Sequence, residues 1–325
     1  MSSAEPKDGW LVEEGIAEHR ALLLRSGTVV AAQIEWPGRL LAGEIAEARL
    51  VSKSAGATRG TALFPGGEEA LVDRLPPAAK EGALIRLEVV RPALSETGRF
   101  KLARARPTNE AVCPAPKLAR RLSARVVRAF EPGLWEEVWS EAWEGRFDFD
   151  GGSLIISPTP AMTVVDIDGS LPIPLLARAA AKALCAAIPR FNLGGSLAAD
   201  FPTLERKEDR KAVDALIVDG LQGWPHERTA MNGFGLVQIV SRLAAPSLIG
   251  LLANDRAGSA ARALLRQAER ITDPGQLMLT CNPSVRAAIR QDWIDELARR
   301  SGKVIQWSMD PGLALEGGFA QAVPS

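Results

Sequence analysis

Three aspartates stand where apolar strands should end. Asp166 and Asp168 follow a β-branched run in Met162-Thr163-Val164-Val165-Asp166-Ile167-Asp168-Gly169, and Asp200 closes a second run in Gly195-Ser196-Leu197-Ala198-Ala199-Asp200-Phe201-Pro202. Side chains alternate along a strand, so Asp166 and Asp168 share a face. Acids at the ends of apolar strands are costly to bury unpaired, and a divalent cation is the simplest partner. Mg²⁺ prefers hard oxygen ligands, usually one or two carboxylates with waters and a substrate phosphate. Asp166, Asp168 and Asp200 would offer that set if their strands are neighbours. A cation so held activates water and neutralises charge on a phosphodiester. A plainer reading stays open for two of them: Asp168 precedes Gly169 and Asp200 precedes Phe201-Pro202, and both fit as turn residues.

Other chemistries find little support. His19 and His226 are the two histidines, which disfavours a histidine triad or a histidine-ligated zinc. No GxxxxGK[ST] motif occurs, and the glycines between 43 and 67 lack dinucleotide spacing. Cys113, Cys185 and Cys281 are odd in number and form no CxxC pair, so buried free thiols are expected. With Lys+Arg and Asp+Glu both at 39, the zero net charge argues against an indiscriminate polyanion binder, though not against a local basic groove. Residues 1–9 are polar and hold Glu5 and Asp8, unlike a signal peptide. No stretch reaches the roughly 20 apolar residues of a membrane span. A soluble protein of the cytoplasm, with no membrane partner, is the expectation.

The elements that must position these acids can be read coarsely. At 325 residues the chain has room for about two domains. Residues 21–36 read as a hairpin about Arg25-Ser26-Gly27. Short strands recur from 41 to 106 without a helical period, which suggests a small closed barrel. Pro107, Pro114 and Pro116 mark a linker. Residues 117–130 read as a helix with Arg121, Arg125 and Arg128 at i, i+4 and i+7, either a solvated face or a phosphate-contacting stripe. Beyond Gly151 the texture turns α/β. A hairpin about Pro158-Thr159-Pro160 precedes a helix at 173–188, a strand at 193–200 and a helix at 206–221. A helix at 260–271 comes next, and then strand, helix and strand at 277–281, 284–300 and 304–308. His226 falls in a loop and His19 at a strand edge. The fold class is α+β, with a β-barrel inserted near the start of an α/β region.

These motifs together resemble the ribonuclease E/G family of endoribonucleases. Residues 152–168 are similar to its strand–turn–strand, in which an aspartate and, two residues on, an Asn or Asp join the metal site. Leu193-Gly194-Gly195-Ser196-Leu197-Ala198-Ala199-Asp200-Phe201 resembles its second metal-ligand segment, and Gly233-Phe234-Gly235-Leu236-Val237 and Pro246-Ser247-Leu248 the segment after it. Glu13-Glu14-Gly15-Ile16-Ala17-Glu18 and Ile34-Glu35-Trp36-Pro37-Gly38 are also similar. The resemblance implies five parts. They are a hairpin of a ribonuclease H-like region at 1–40, an S1-type (OB-like) RNA-binding barrel at 41–106, and a linker and basic helix at 107–150. A metal-binding catalytic α/β domain at 151–250 and a C-terminal α/β subdomain at 251–325 complete the set. It implies Mg²⁺ on Asp166 and Asp200, with Asp168 in support, and hydrolysis of single-stranded RNA to 5′-phosphate and 3′-hydroxyl ends in RNA processing or decay. Arg210 matches a basic position of the helix after the second segment. Arg99 and Lys101 lie where S1-domain cations approach RNA, and Arg121 and Arg125 would add phosphate contacts.

The pattern also departs from the family. Thr203 stands where another aspartate is usual, and Gly233 where an arginine precedes Phe-Gly-Leu. Two base-stacking aromatics of the barrel are Leu63 and Leu71, with Phe64 and Phe100 nearby. The interval before Gly151 is short for the family's 5′-phosphate sensor, and the Cys-Pro-x-Cys zinc link is missing, so a zinc-joined dimer is not expected while other oligomers stay open. Two functions are in view: a compact Mg²⁺-dependent endoribonuclease, or an RNA-binding protein on the same scaffold with weakened or lost catalysis.

Overall fold

The computed structural model describes residues 8–54, 56–96 and 99–324, the side chains of 95–96 and 99–100 excepted. The chain opens with β1 (Gly9–Glu14), β2 (His19–Arg25) and β3 (Thr28–Glu35), an antiparallel meander. Ser26 and Gly27 both have positive φ (49° and 76°), the backbone that a two-residue hairpin turn demands.

The barrel comes next: β4 (Ile45–Ser52), β5 (Gly60–Leu63), β6 (Glu69–Val72), β7 (Leu84–Arg91), the small hairpin β8 (Leu94–Glu96) and β9 (Arg99–Lys101), and β10 (Ala103–Pro107). Five strands close in the order β10-β6-β5-β4-β7, with β10 parallel to β6 and antiparallel to β7. That topology is compatible with an OB-like barrel. Alternation explains its core. Ala46, Ala48, Leu50, Ala62, Ala70, Val72, Leu87, Val89, Ala103 and Ala105 point inward, and the small alanines suit a narrow lumen. Gly43 and the bridge between Ile45 and Cys113 bring the barrel's entry and exit together.

The return segment differs from the expected helix at 117–130. Only α1 (Leu118–Arg121) is helical, and β11 (Arg125–Val127) then joins β1 in parallel. Ser123 at φ 50° stops the helix, and the free edge of β1 recruits Arg125–Val127. Arg121 and Arg125 therefore do not share a helical face.

Next come α2 (Leu134–Glu144), β12 (Arg146–Phe149), β13 (Gly152–Pro158), β14 (Thr163–Gly169), α3 (Ile173–Arg190), β15 (Ser196–Asp200), α4 (Lys207–Gly220), β16 (His226–Arg228) and β17 (Leu236–Ser241). His226 thus begins a strand rather than lying in a loop. Six strands form one sheet, β12-β13-β14-β15-β17-β16. β14 and β15 are parallel, so the chain must cross over between them, and α3 is that crossover. Leu176, Ala177, Ala180, Ala181, Leu184, Ala187 and Ile188 recur at helical spacing and are buried, and α4 packs beside α3.

The chain then runs through α5 (Leu248–Asn254), α6 (Arg256–Glu269), β18 (Gln276–Cys281), α7 (Pro283–Ala288), α8 (Gln291–Ser301), β19 (Ile305–Met309) and β20 (Phe319–Val323). The single helix expected at 284–300 is two, broken where Ile289 turns extended (φ −82°, ψ 121°). One continuous core joins the first sheet, the six-stranded sheet and this C-terminal part, while the barrel keeps its own. Of the thiols only Cys281 is buried; Cys113 is exposed and Cys185 half-buried, and all three are free. Among the described residues no helix is long and apolar enough to cross a membrane.

Candidate functional site

β14 alternates strictly. Val165 and Ile167 are buried in the core, and Asp166 and Asp168 are exposed on the opposite face. On β15 the same phase buries Leu197 and Ala199 and leaves Asp200 exposed. The two strands pair with Asp166 directly beside Asp200. Neighbouring strands lie about 4.8 Å apart, so the two carboxylates rise side by side from one face. Asp168 is on that face too, one pleat repeat further along and beside Ser153. These acids occupy the carboxyl ends of two parallel strands, the side where open α/β sheets collect ligands.

The acids are available. Asp166 Oδ1 accepts only from the Ile167 N–H (3.0 Å), and among the described residues neither Asp168 nor Asp200 has a hydrogen-bond or ion-pair partner. Hard, unneutralised oxygens on adjacent strands match what Mg²⁺ takes, two carboxylates with the remaining positions left to water and phosphate. No three or more His, Cys, Asp or Glu side chains among the described residues form a closed cation cage. The donor set that the register brings together is Asp166 with Asp200.

The segment after Asp200 is tied down. Phe201 N–H donates to Gly235 O (3.2 Å), and Thr203 Oγ1 reaches Phe234 O (3.5 Å). Arg210, from the first turns of α4, donates to the carbonyls of Leu204 and Glu205 (3.1 Å to the latter). Its guanidinium thus shapes the loop below the acids. Arg206, Lys207 and Lys211 on the same segment are exposed and have no hydrogen-bond or ion-pair partner among the described residues.

The barrel residues fall where the resemblance needs them, but not beside the acids in sequence or in one sheet. Leu63 (37% exposed) and Leu71 project outward from the adjacent strands β5 and β6. Lys101 is exposed in the β8–β9 hairpin, which lies between the barrel's last two strands; the Arg99 side chain lies outside the described residues. In OB-type barrels that loop and the faces of the second and third strands contact oligonucleotides. Arg121 is held by Glu35 (2.7 Å), and Arg125 is exposed on β11.

Sequence reasoning missed three features. Glu13 is fully buried and accepts from Arg266, Arg270 and the Phe130 N–H (3.1, 2.8 and 2.5 Å), tying β1 to α6. A cavity of about 430 Å³ lies between β3, the barrel exit and the start of β15, lined by Trp36, Leu41, Trp224 and Arg242 among others. It sits at the end of β15 away from Asp200. Phe234 is 83% exposed beside the acids. None of these has a sequence signal beyond residue type, because each depends on which distant elements meet. Burial shifts two groups near this frame: it lowers the His19 imidazole against the opposing pull of Glu35 and Glu14, and it pushes the Cys185 thiol up to about 11.

No protein-family model matches the chain, and no curated protein matches it.

Proposed function

We propose that the protein is a Mg²⁺-dependent endoribonuclease that hydrolyses single-stranded RNA to 5′-phosphate and 3′-hydroxyl ends. The observation that carries this reading is the register pairing of Asp166 with Asp200 on a solvent-open sheet face, both without a cationic partner. A bound Mg²⁺ would supply an activated water and neutralise charge on the phosphodiester. Asp166 and Asp200 would hold it, and Asp168 would orient a coordinated water. Ile167 N–H fixes the Asp166 carboxylate so that its other oxygen is free. Arg206, Lys207 and Lys211 would draw the RNA backbone to this edge, with Lys101 and Arg99 engaging it on an S1-type barrel. Arg210 acts indirectly by shaping the Asp200 loop.

The test is hydrolysis of a 5′-labelled single-stranded RNA by wild type and by Asp166→Asn and Asp200→Asn, with Mg²⁺ and with EDTA. Metal stabilisation of a phosphoryl transition state is worth several kcal/mol, so each substitution should slow cleavage by roughly 100-fold or more. Equal cleavage by wild type and variants would trace the activity to a contaminant and overturn the reading.

One observation favours a second reading, an RNA-binding protein without efficient turnover. At the position where the family carries a further acid, the Thr203 hydroxyl is engaged with Phe234 O and adds no charge, and Leu63 and Leu71 offer the barrel no rings. That reading expects salt-sensitive RNA affinity dependent on Arg99 and Lys101 with no turnover.

A further inference from the structure

We propose that Phe234 is a nucleobase-stacking platform beside the Asp166–Asp200 pair, taking the base of single-stranded RNA next to the phosphate at those carboxylates; this rests on reading that face as an RNA site.

Phe234 is 83% exposed, the most exposed large apolar side chain among the described residues. An aromatic ring normally supplies a large share of burial to a core. Here it supplies almost none, so the fold does not explain it. Its backbone is nevertheless held firmly. The Asn232 side chain accepts from Phe234 N–H (2.9 Å) and Leu236 N–H (3.0 Å), and Gly235 N–H donates to Asn232 O (3.2 Å). Gly235 sits at φ +95°, and a Cβ there would lie 2.1 Å from Phe201 O. Only glycine lets this turn press against the residue that follows Asp200. Two residues after the ring, Leu236 pairs with Asp200 across the sheet. The ring is therefore presented at the acids on a braced turn.

The surroundings select the ligand. Arg206, Lys207 and Lys211 are exposed and, among the described residues, unpartnered on the same edge, which suits a phosphate backbone. A base offers a π-face to the ring while its phosphate reaches the cations and carboxylates. Stacking of this kind is tolerant of base identity, because every base has a π-face. With Leu63 and Leu71 in place of barrel aromatics, Phe234 would supply stacking that the barrel lacks, at the site of chemistry itself.

The experiment uses the full chain in EDTA, where no metal-dependent cleavage competes, and a single-stranded oligoribonucleotide carrying 2-aminopurine. Wild type should bind and quench the fluorophore. Phe234→Ala should weaken binding roughly 5- to 100-fold and abolish the quenching, whereas Phe234→Trp should retain both. Phe234→Leu should behave like the alanine variant. Melting temperatures of all variants should match wild type, because the ring is exposed. Unchanged affinity and quenching in Phe234→Ala would overturn the proposal, and so would full affinity in Phe234→Leu, which would mark an apolar contact such as a protein partner would make. Phe234-dependent quenching without Mg²⁺-dependent hydrolysis would sustain the platform and reject the nuclease. Hydrolysis dependent on Asp166 but indifferent to Phe234 would do the reverse. Failure of wild type to bind RNA would overturn both.

Discussion

Removing one acid of the pair should make the fold more stable. Asp166 and Asp200 are register partners on adjacent strands, exposed and without compensating cations among the described residues. Like charges directly opposite across a sheet are destabilising. At the strand spacing of about 5 Å, two unit charges in a water-like medium repel by roughly 0.8 kcal/mol. With a Debye length of about 8 Å at physiological salt this falls to roughly 0.4 kcal/mol, and with about 30 Å at 0.01 M it is roughly 0.7 kcal/mol. At 1 M salt, where the screening length is about 3 Å, roughly 0.2 kcal/mol remains. Asp200→Asn should therefore raise the free energy of unfolding by these amounts in EDTA, read from urea midpoints at the three ionic strengths. Mg²⁺ should invert the order. A cation at ten times its Kd stabilises wild type by about 1.4 kcal/mol, and the variant should gain far less. A variant less stable than wild type at low salt, or a difference indifferent to salt, would refute the idea of an uncompensated pair. Equal stabilisation of both proteins by Mg²⁺ would refute the two acids as its ligands.

Other parts of the fold carry expectations of their own. Glu13→Gln keeps an acceptor for the Phe130 N–H but leaves the buried Arg266 facing an uncharged group, so unfolding stability should fall by about 3 kcal/mol; a loss below about 1 kcal/mol in urea unfolding would show that Glu269 alone satisfies Arg266. Burial lowers the His19 pKa from 6.5, so below that value the unfolded chain takes up the proton more readily. Its contribution is intact above pH 6.5 and is lost as pH falls towards the depressed folded value. Unfolding curves between about pH 7 and 5 should flatten in His19→Gln, and identical slopes would refute the assignment. Gly235→Ala forces a side chain into a left-handed backbone and against Phe201 O, and should cost roughly 2 kcal/mol or more. Gly233→Ala, two residues away and facing open space, should stay within about 0.5 kcal/mol by the same assay.

How far the sequence revealed the structure depended on how local each cause was. The acid phase on β14 was legible because alternation alone puts Asp166 and Asp168 on one face. The barrel was legible from its short alternating strands. The α3 crossover was legible from its 3.6-residue apolar repeat. The segment 117–130 misled because three arginines at helical spacing say nothing about the unpaired edge of β1, which draws Arg125–Val127 into a strand. Trp135, Val138, Ala142 and Trp143 did carry a helical signal for α2, obscured by the proline-rich stretch before it. The register that sets Asp166 beside Asp200 had no local signature, since a one-residue slip would have sent Asp200 to the other face. The exposure of Phe234 and the burial of Glu13 likewise arise from packing between segments far apart in sequence.

The parallel strand β11 has a consequence for the order in which the chain matures. β1, β2 and β3 emerge first, but one edge of their sheet waits for Arg125–Val127 and the acid of β1 waits for Arg266 and Arg270. The barrel between them has a separate core and an entry and exit already joined. During synthesis, then, the barrel is able to close while the amino-terminal strands are still without their partners. The first segment made is among the last to be completed, and truncation near the carboxyl end should unsettle the amino-terminal sheet while sparing the barrel.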